Sequence, residues 1–352
     1  MNPKSFLGFL AVTVVIVVAA AVSISARYSA AVSVDLNEVV YPGLADKFGD
    51  VVEIQVQDKD KTLTVKRDGD GWVLADRSNY VADSEVVRQV LVGLAELRLR
   101  EAKTEKKDLF PKLAVEDVTE KDAKSGLLTI KDKSGQVLAS LIVGKENSDL
   151  AGGADVGRYI RKPNEQQAWL AEGRLVMPGA VKDWVSPQFL DVSSKRIDTV
   201  VVAQPDGLVM DVKREKKDGE KFVINNMPEG RKIEYQSDID NMGDGLDKLE
   251  LEEVRAAGKI EFPADKTIST RLKTYDGLTM DVKLLEKGDD FWATFVASAA
   301  ADADDKVKKE AADFNATVSK WVYAIPAHKY RYMTRKVEDV LEQPKKEEEK
   351  KN

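Results

Sequence analysis

Three rhythms of apolar and polar positions run along this chain. The first is a single unbroken run: the nineteen residues from Phe6 to Ile24 carry no charge, with Lys4 before them and Arg27 after. As a helix such a run rises roughly 28 Å, close to the thickness of a bilayer's hydrocarbon core. The second rhythm is a period of two, the mark of a half-buried strand. Val52, Ile54 and Val56 alternate with polar residues, then Leu63 and Val65, and Trp72-Val73-Leu74 closes a three-strand meander. Similar meanders are expected at Leu127–Leu170, Thr199–Ile224 and Ile268–Trp292. The third rhythm is helical. Asp83 or Ser84 can cap a helix burying Val86, Val87, Val90, Leu91, Leu94 and Leu97 on one face. Ser237 can cap a second with Ile239, Met242, Leu246 and Leu249. A third is expected from about Asp302 to Trp321, and a shorter one at Val181–Val185, stopped by Pro187.

Read in order, these elements repeat. Ile54 corresponds to Val200, Trp72 to Phe222 and Trp184 to Trp321. The words Asp206-Gly207-Leu208-Val209-Met210-Asp211-Val212-Lys213 and Asp276-Gly277-Leu278-Thr279-Met280-Asp281-Val282-Lys283 agree at seven of eight positions. The expected fold class is therefore α+β: an N-terminal single transmembrane helix, then two tandem repeated domains of antiparallel β-meanders alternating with helices. The expected boundaries are a cytoplasmic N-terminus at 1–5, an anchor at 6–26, a spacer at 27–36, domains at 37–192 and 195–341, and a charged, disordered tail at 342–352. The apolar run exceeds the roughly 7–15 residues of a cleaved signal's core, so it reads as an uncleaved anchor. Lys4 and the amino terminus against Arg27 put the amino terminus in the cytoplasm and the body outside the inner membrane, on the periplasmic side in a diderm cell.

Composition narrows the function. The net charge of −7 argues against nucleic acid, which wants a basic face. The chain has no cysteine, so disulfides, thiolate metal sites and cysteine nucleophiles are excluded. His328 is the one histidine and reads as a loop residue, without a base–nucleophile partner or companion ligands. Asp58, Asp60, Asp68 and Asp70 sit on two turns and lack the spacing of a calcium loop. Asp302, Asp304 and Asp305 read as charge at a helix start. The five tryptophans each fall at a place the repeat explains, so core packing is expected. Gly152-Gly153-Ala154-Asp155-Val156-Gly157 reads as a hairpin tip, with a partner-binding loop as the alternative.

The segment that follows carries a resemblance. Gly157-Arg158-Tyr159-Ile160-Arg161-Lys162-Pro163 with Ala168-Trp169-Leu170 is similar to a strand of a bacterial family known as domain of unknown function 4340. Tyr41-Pro42-Gly43-Leu44, Gly71-Trp72, Tyr80 to Asp83, Leu94 to Leu97 and Leu141 to Lys145 resemble the same family, over about 40–190. The resemblance implies a membrane-tethered extracytoplasmic protein, often encoded beside the ATPase and permease of an ABC transporter and a gliding-type auxiliary subunit. It implies no catalytic or ligand residues. The function expected is a non-enzymatic accessory subunit of an ABC-type transport system, with transporter permease or auxiliary subunits as protein partners and no cofactor. The alternatives are a module that binds an envelope glycan or lipid, and, last, a hydrolase working through paired carboxylates.

Overall fold

The structure is a computed structural model and describes residues 37–147, 156–217 and 219–342. The run Phe6–Ile24, the spacer, the loop stretch 152–155 and the tail from Gln343 lie outside the described residues.

Alternating apolar and polar side chains dominate what is described, and the chain answers with strands. In order they are β1 (Val51–Gln57), β2 (Thr62–Asp68), β3 (Gly71–Leu74), β4 (Tyr80–Ala82), β5 (Arg98–Thr104), β6 (Gly126–Asp132), β7 (Val137–Asn147), β8 (Val156–Arg161) and β9 (Ala168–Gly173). There follow β10 (Gln188–Leu190), β11 (Ile197–Ala203), β12 (Val209–Arg214), β13 (Phe222–Ile224), β14 (Leu249–Glu250) and β15 (Glu253–Ala256). The last are β16 (Ile268–Thr274), β17 (Leu278–Lys287), β18 (Asp290–Ala299) and β19 (Trp321–Ala324). One sheet has the order β4-β3-β2-β1-β6-β7-β8-β9-β5, the other β13-β12-β11-β16-β17-β18-β19-β15, and β10 pairs with β14.

The strand orders of the two sheets correspond, and so does their register. Ile54 pairs with Ile130 and Val56 with Leu128; Val200 pairs with Leu272 and Val202 with Thr270. Each central pair carries an irregularity at the same place, between Val51 and Glu53 in one sheet and between Ile197 and Thr199 in the other. Inward side chains are sealed: Ile54, Leu128, Ile130, Val200, Val202 and Leu272 are all 0% exposed. Burial on this scale stabilises by about 1.5–3 kcal/mol per large aliphatic side chain. Gly207 (φ +87°) and Gly277 (φ +90°) turn the hairpins that follow β11 and β16. Both sit in a left-handed conformation that other residues adopt at a cost.

The expected fold class is corrected by this architecture, which is mostly β. Helices of appreciable length are few: Ser84–Glu96, Asp305–Val318 and Ala327–Thr334. The helix expected through Leu249 is α-helical only over Gln236–Asp240, continues as a 3-10 turn to Asp244, and Leu249 itself lies in β14. Its i, i+3 spacing is real, but Gly243 and Gly245 weaken a helix there. The expected helix at Val181–Val185 is a 3-10 turn over Val181–Trp184. The transmembrane helix at the head of the expected fold, and with it the description as a membrane-anchored, signal-anchor protein, is corrected too. Among the described residues no helix is long and apolar enough to cross a membrane.

By contacts the chain divides into two compact units, Met1–Thr62 with Arg88–Met177, and Leu63–Val87 with Pro178–Asn352. In the first, Phe110, Val115, Ile142 and Ala168 form a cluster that Leu113, Leu127 and Tyr159 flank. In the second, Leu285, Trp292, Val322 and Ala324 pack with Ile260 and Phe262.

Candidate binding groove

The second unit carries an aromatic groove of ≈ 470 Å³ built from three separate stretches of chain. The first is β4. After β3 the chain reverses through Ser78 and Asn79, both at positive φ, and returns antiparallel with Val73 opposite Val81 and Leu74 opposite Tyr80. Strand β4 ends its sheet, so among the described residues no strand neighbours its other side. Ala82 turns inward at 3% exposed while Val81 is left 72% exposed. Asp83 then starts the helix Ser84–Glu96, its Oδ1 accepting the Glu85 N–H at 2.8 Å. Its own N–H donates to the Trp184 carbonyl at 2.7 Å.

The second stretch is Val185 to Phe189, leading into and along β10. The Phe189 ring stacks on Tyr323 at 4.0 Å between centroids and meets Phe295 edge-on at 5.6 Å. The third is β19, where Trp321 is half-buried and stands edge-on to Tyr80 at 4.8 Å. Edge-to-face aromatic pairs of this kind add about 0.5–1.5 kcal/mol beyond burial. A fork holds the arrangement: Arg77 Nε and Nη2 donate to the two Glu253 carboxylate oxygens at 2.8 and 2.9 Å. Glu253 lies on β15 opposite Ala324 of β19, so the turn before β4 is clamped to the strand that carries Trp321.

The aromatic side chains of the walls are uncharged at neutral pH. Burial pushes the Tyr80 phenol above its ordinary pKa, partly offset by the Tyr323 hydroxyl, and burial raises Tyr323 further. The buried Tyr323 hydroxyl lacks a partner of ordinary hydrogen-bond geometry. Polar groups are confined to Asp83, Ser186, Gln188 and Thr317 at the lining. This arrangement can hold an apolar or aromatic surface. It brings together no nucleophile–base pair.

The residues singled out from the sequence lie elsewhere. His328 is on the first turn of Ala327–Thr334, exposed, edge-on to Tyr332 at 5.7 Å, in a helix and not a loop. Partial burial, then the charges of Lys329 and Arg331, hold its pKa below the ordinary value. Asp58 accepts the N–H groups of Asp60 and Lys61, both at 2.8 Å, closing the turn before β2, while Asp68 and Asp70 sit at the turn after β2. Asp304 stands at the N-cap of Asp305–Val318. Among the described residues no three His, Asp or Glu side chains converge as a metal site. Among the described residues one carboxylate is sealed in the interior: Glu116, 3% exposed, accepts the Lys124 N–H and lines none of the cavities described in this structure.

The tryptophans require a correction. Trp72, Trp184 and Trp292 are buried at 6%, 0% and 3%. Trp169 and Trp321 are only half-buried, so packing does not absorb all five. Trp184 and Trp321 are not in equivalent helices either. Trp184 closes a 3-10 turn and Trp321 opens β19, the strand that corresponds to β9 and Trp169. Sequence reasoning missed Tyr80 and Phe189 as site residues.

With strand order and groove in hand, comparison places the chain. It is a β-rich protein, and it belongs to the family described as Domain of unknown function (DUF4340), whose model matches residues 72–274. The match starts at Trp72 and runs through β16, well past the stretch over which the resemblance was expected. No curated protein and no solved structure matches the chain.

Proposed function

We propose that this chain is a non-catalytic binding subunit, an extracytoplasmic accessory protein of an ABC-type transport system, and that it holds a protein partner through the Tyr80–Phe189–Trp321 groove. The observation that carries this reading is Val81, 72% exposed on an edge strand beside that groove. An edge strand next to an apolar trough suits a partner segment that adds to the sheet and seats its side chains in the trough. The transporter setting rests on the family resemblance. A second reading, capture of an envelope glycan, is favoured by the half-buried Trp321 with Asp83, Gln188 and Thr317 nearby.

One experiment separates them. The full chain is isolated from its cells with bound proteins, as wild type and as Val81→Arg. Permease or auxiliary subunits should accompany the wild type and fall by roughly tenfold in the variant, as for a buried hot-spot position. Recovery of the wild type alone would sink the subunit reading. Recovery of the wild type with bound saccharide in place of protein would favour the second.

A further inference from the structure

The repeated word of the sequence builds a second surface that shares no residue with the groove. On β12, Met210 and Val212 point inward at 1% and 0% exposed, leaving Asp211 and Lys213 outward. On β17, Met280 and Val282 point inward at 1% each, leaving Asp281 and Lys283 outward. These strands flank β11 and β16, and together the four enclose an open trough of ≈ 780 Å³ on the outer face of the sheet. Register aligns the floor in rows. Lys213, Thr199, Lys273 and Thr279 form one, and Asp211, Val201, Arg271 and Asp281 the next.

The corresponding rows of the first sheet are closed. There the lysine at the register position of Lys273 is Lys131, opposite Glu53 as Lys273 is opposite Thr199. Lys131 donates to Glu53 at 2.8 Å and to Gln55 at 3.0 Å. Beside it Thr129 and Ser140 join at 3.2 Å, and the Tyr41 hydroxyl bonds the Ser140 carbonyl, laying a side chain over the face. In the second sheet the acid is replaced by Thr199, and Lys273 is exposed without an acid partner among the described residues. Lys213 and Lys283 are in the same state. Only Arg271 is paired, its Nε 2.6 Å from Asp281 Oδ1. The trough therefore sets four cations against two carboxylates, in a chain of net charge −7.

We infer that this trough docks an extended acidic segment of a protein partner. Lys213 and Lys273 flank β11 across two strand spacings, about 10 Å, which is about one three-residue turn of an extended polyproline-II chain, whose every third side chain falls on the same face. An acidic side chain at every third position of such a segment meets a lysine in turn. The floor between the lysines is small, with Thr199, Val201 and Ser269, so a backbone can lie close. The trough is open along its length, which suits a chain better than a compact anion. Lysines with no acid to satisfy them draw an acidic partner from a distance and set its register.

The test uses the full chain and a fluorescein-labelled peptide with glutamate at every third position in a Ser/Gly background, read by anisotropy. Binding should saturate and weaken as salt rises, because exposed charges are screened. The triple variant Lys213→Glu, Lys273→Glu, Lys283→Glu should weaken it by roughly tenfold or more. Thr199→Glu alone, which rebuilds the Glu53–Lys131 pairing of the first sheet, should weaken it in the same direction while the thermal transition stays in place. A charge-matched triple on other exposed lysines, Lys133→Glu, Lys287→Glu, Lys320→Glu, should leave affinity within about twofold. Equal loss in both triples would overturn the proposal, since net charge alone would then explain binding. So would absence of peptide binding by the wild type, or preference for phosphatidylglycerol vesicles that the trough triple abolishes.

Discussion

At Arg161 a 3% exposed side chain spans three acceptors: the Val115 carbonyl at 2.9 Å, the Glu165 carbonyl at 3.0 Å and Asp117 Oδ1 at 2.5 Å. Its guanidinium also lies over the Phe110 ring at 4.7 Å. The Gly157–Pro163 word that carried the family resemblance is thus explained by a buried cation tying loops to a strand, with no ligand required. A buried arginine with each of its three nitrogens engaged is hard to replace. Tyr41, in another word of the resemblance, has a titratable consequence. Burial pushes its phenol up to about 12 from the ordinary 10, against the lowering effect of the Ser140 N–H. A group whose pKa is raised by folding adds stability below its unfolded pKa and loses it as pH climbs to the folded value. Denaturant unfolding should therefore show stability constant below about pH 10 and falling towards about pH 12, and less steeply in Tyr41→Phe. The variant should also be about 1 kcal/mol weaker at pH 7, from the lost hydrogen bond. Identical pH slopes for the two proteins would refute the assignment of that loss to Tyr41.

Among elements, the helix Ser84–Glu96 and the strands β1, β2, β6, β11, β16 and β17 were legible because one face of each is apolar and the other charged. Strands β5 and β15 were not. Their sequences, RLREAKT and EVRA, put charge on half or more of the positions, since β5 and β15 each end a sheet and bury little. Strand β19 was absorbed into the helix before it, because Val318 and Trp321 keep a spacing of three after the helix has ended. Helix packing supplies a test of the fold. Gly93 lies in the middle of Ser84–Glu96, and a Cβ there would fall inside the contact distance of the Arg174 carbonyl. In an exposed helix Gly→Ala stabilises by about 1 kcal/mol. Here Gly93→Ala should destabilise by about 1–3 kcal/mol, as overpacking does. A gain in stability on urea unfolding would show that the helix does not approach Arg174 so closely.

For the whole molecule, the repeated word of 206–213 and 276–283 was visible in the sequence, but its meaning was not. It places Asp211, Lys213, Asp281 and Lys283 on one face because β12 and β17 flank the same central pair. The groove left no pattern to read. Tyr80, Phe189 and Trp321 are far apart in the chain, and topology alone brings them together. The groove offers aromatic walls, an edge strand and a rim of a few polar groups, and these are what support the proposed binding role. The most direct measurement is photo-crosslinking in living cells from benzoylphenylalanine placed at Val81, with Val137, 49% exposed in the first unit, as the comparison site. The account predicts an adduct with a transporter subunit from position 81, suppressed by Trp321→Ala, and none from position 137. No adduct at 81, or the same adducts at both positions, would contradict it.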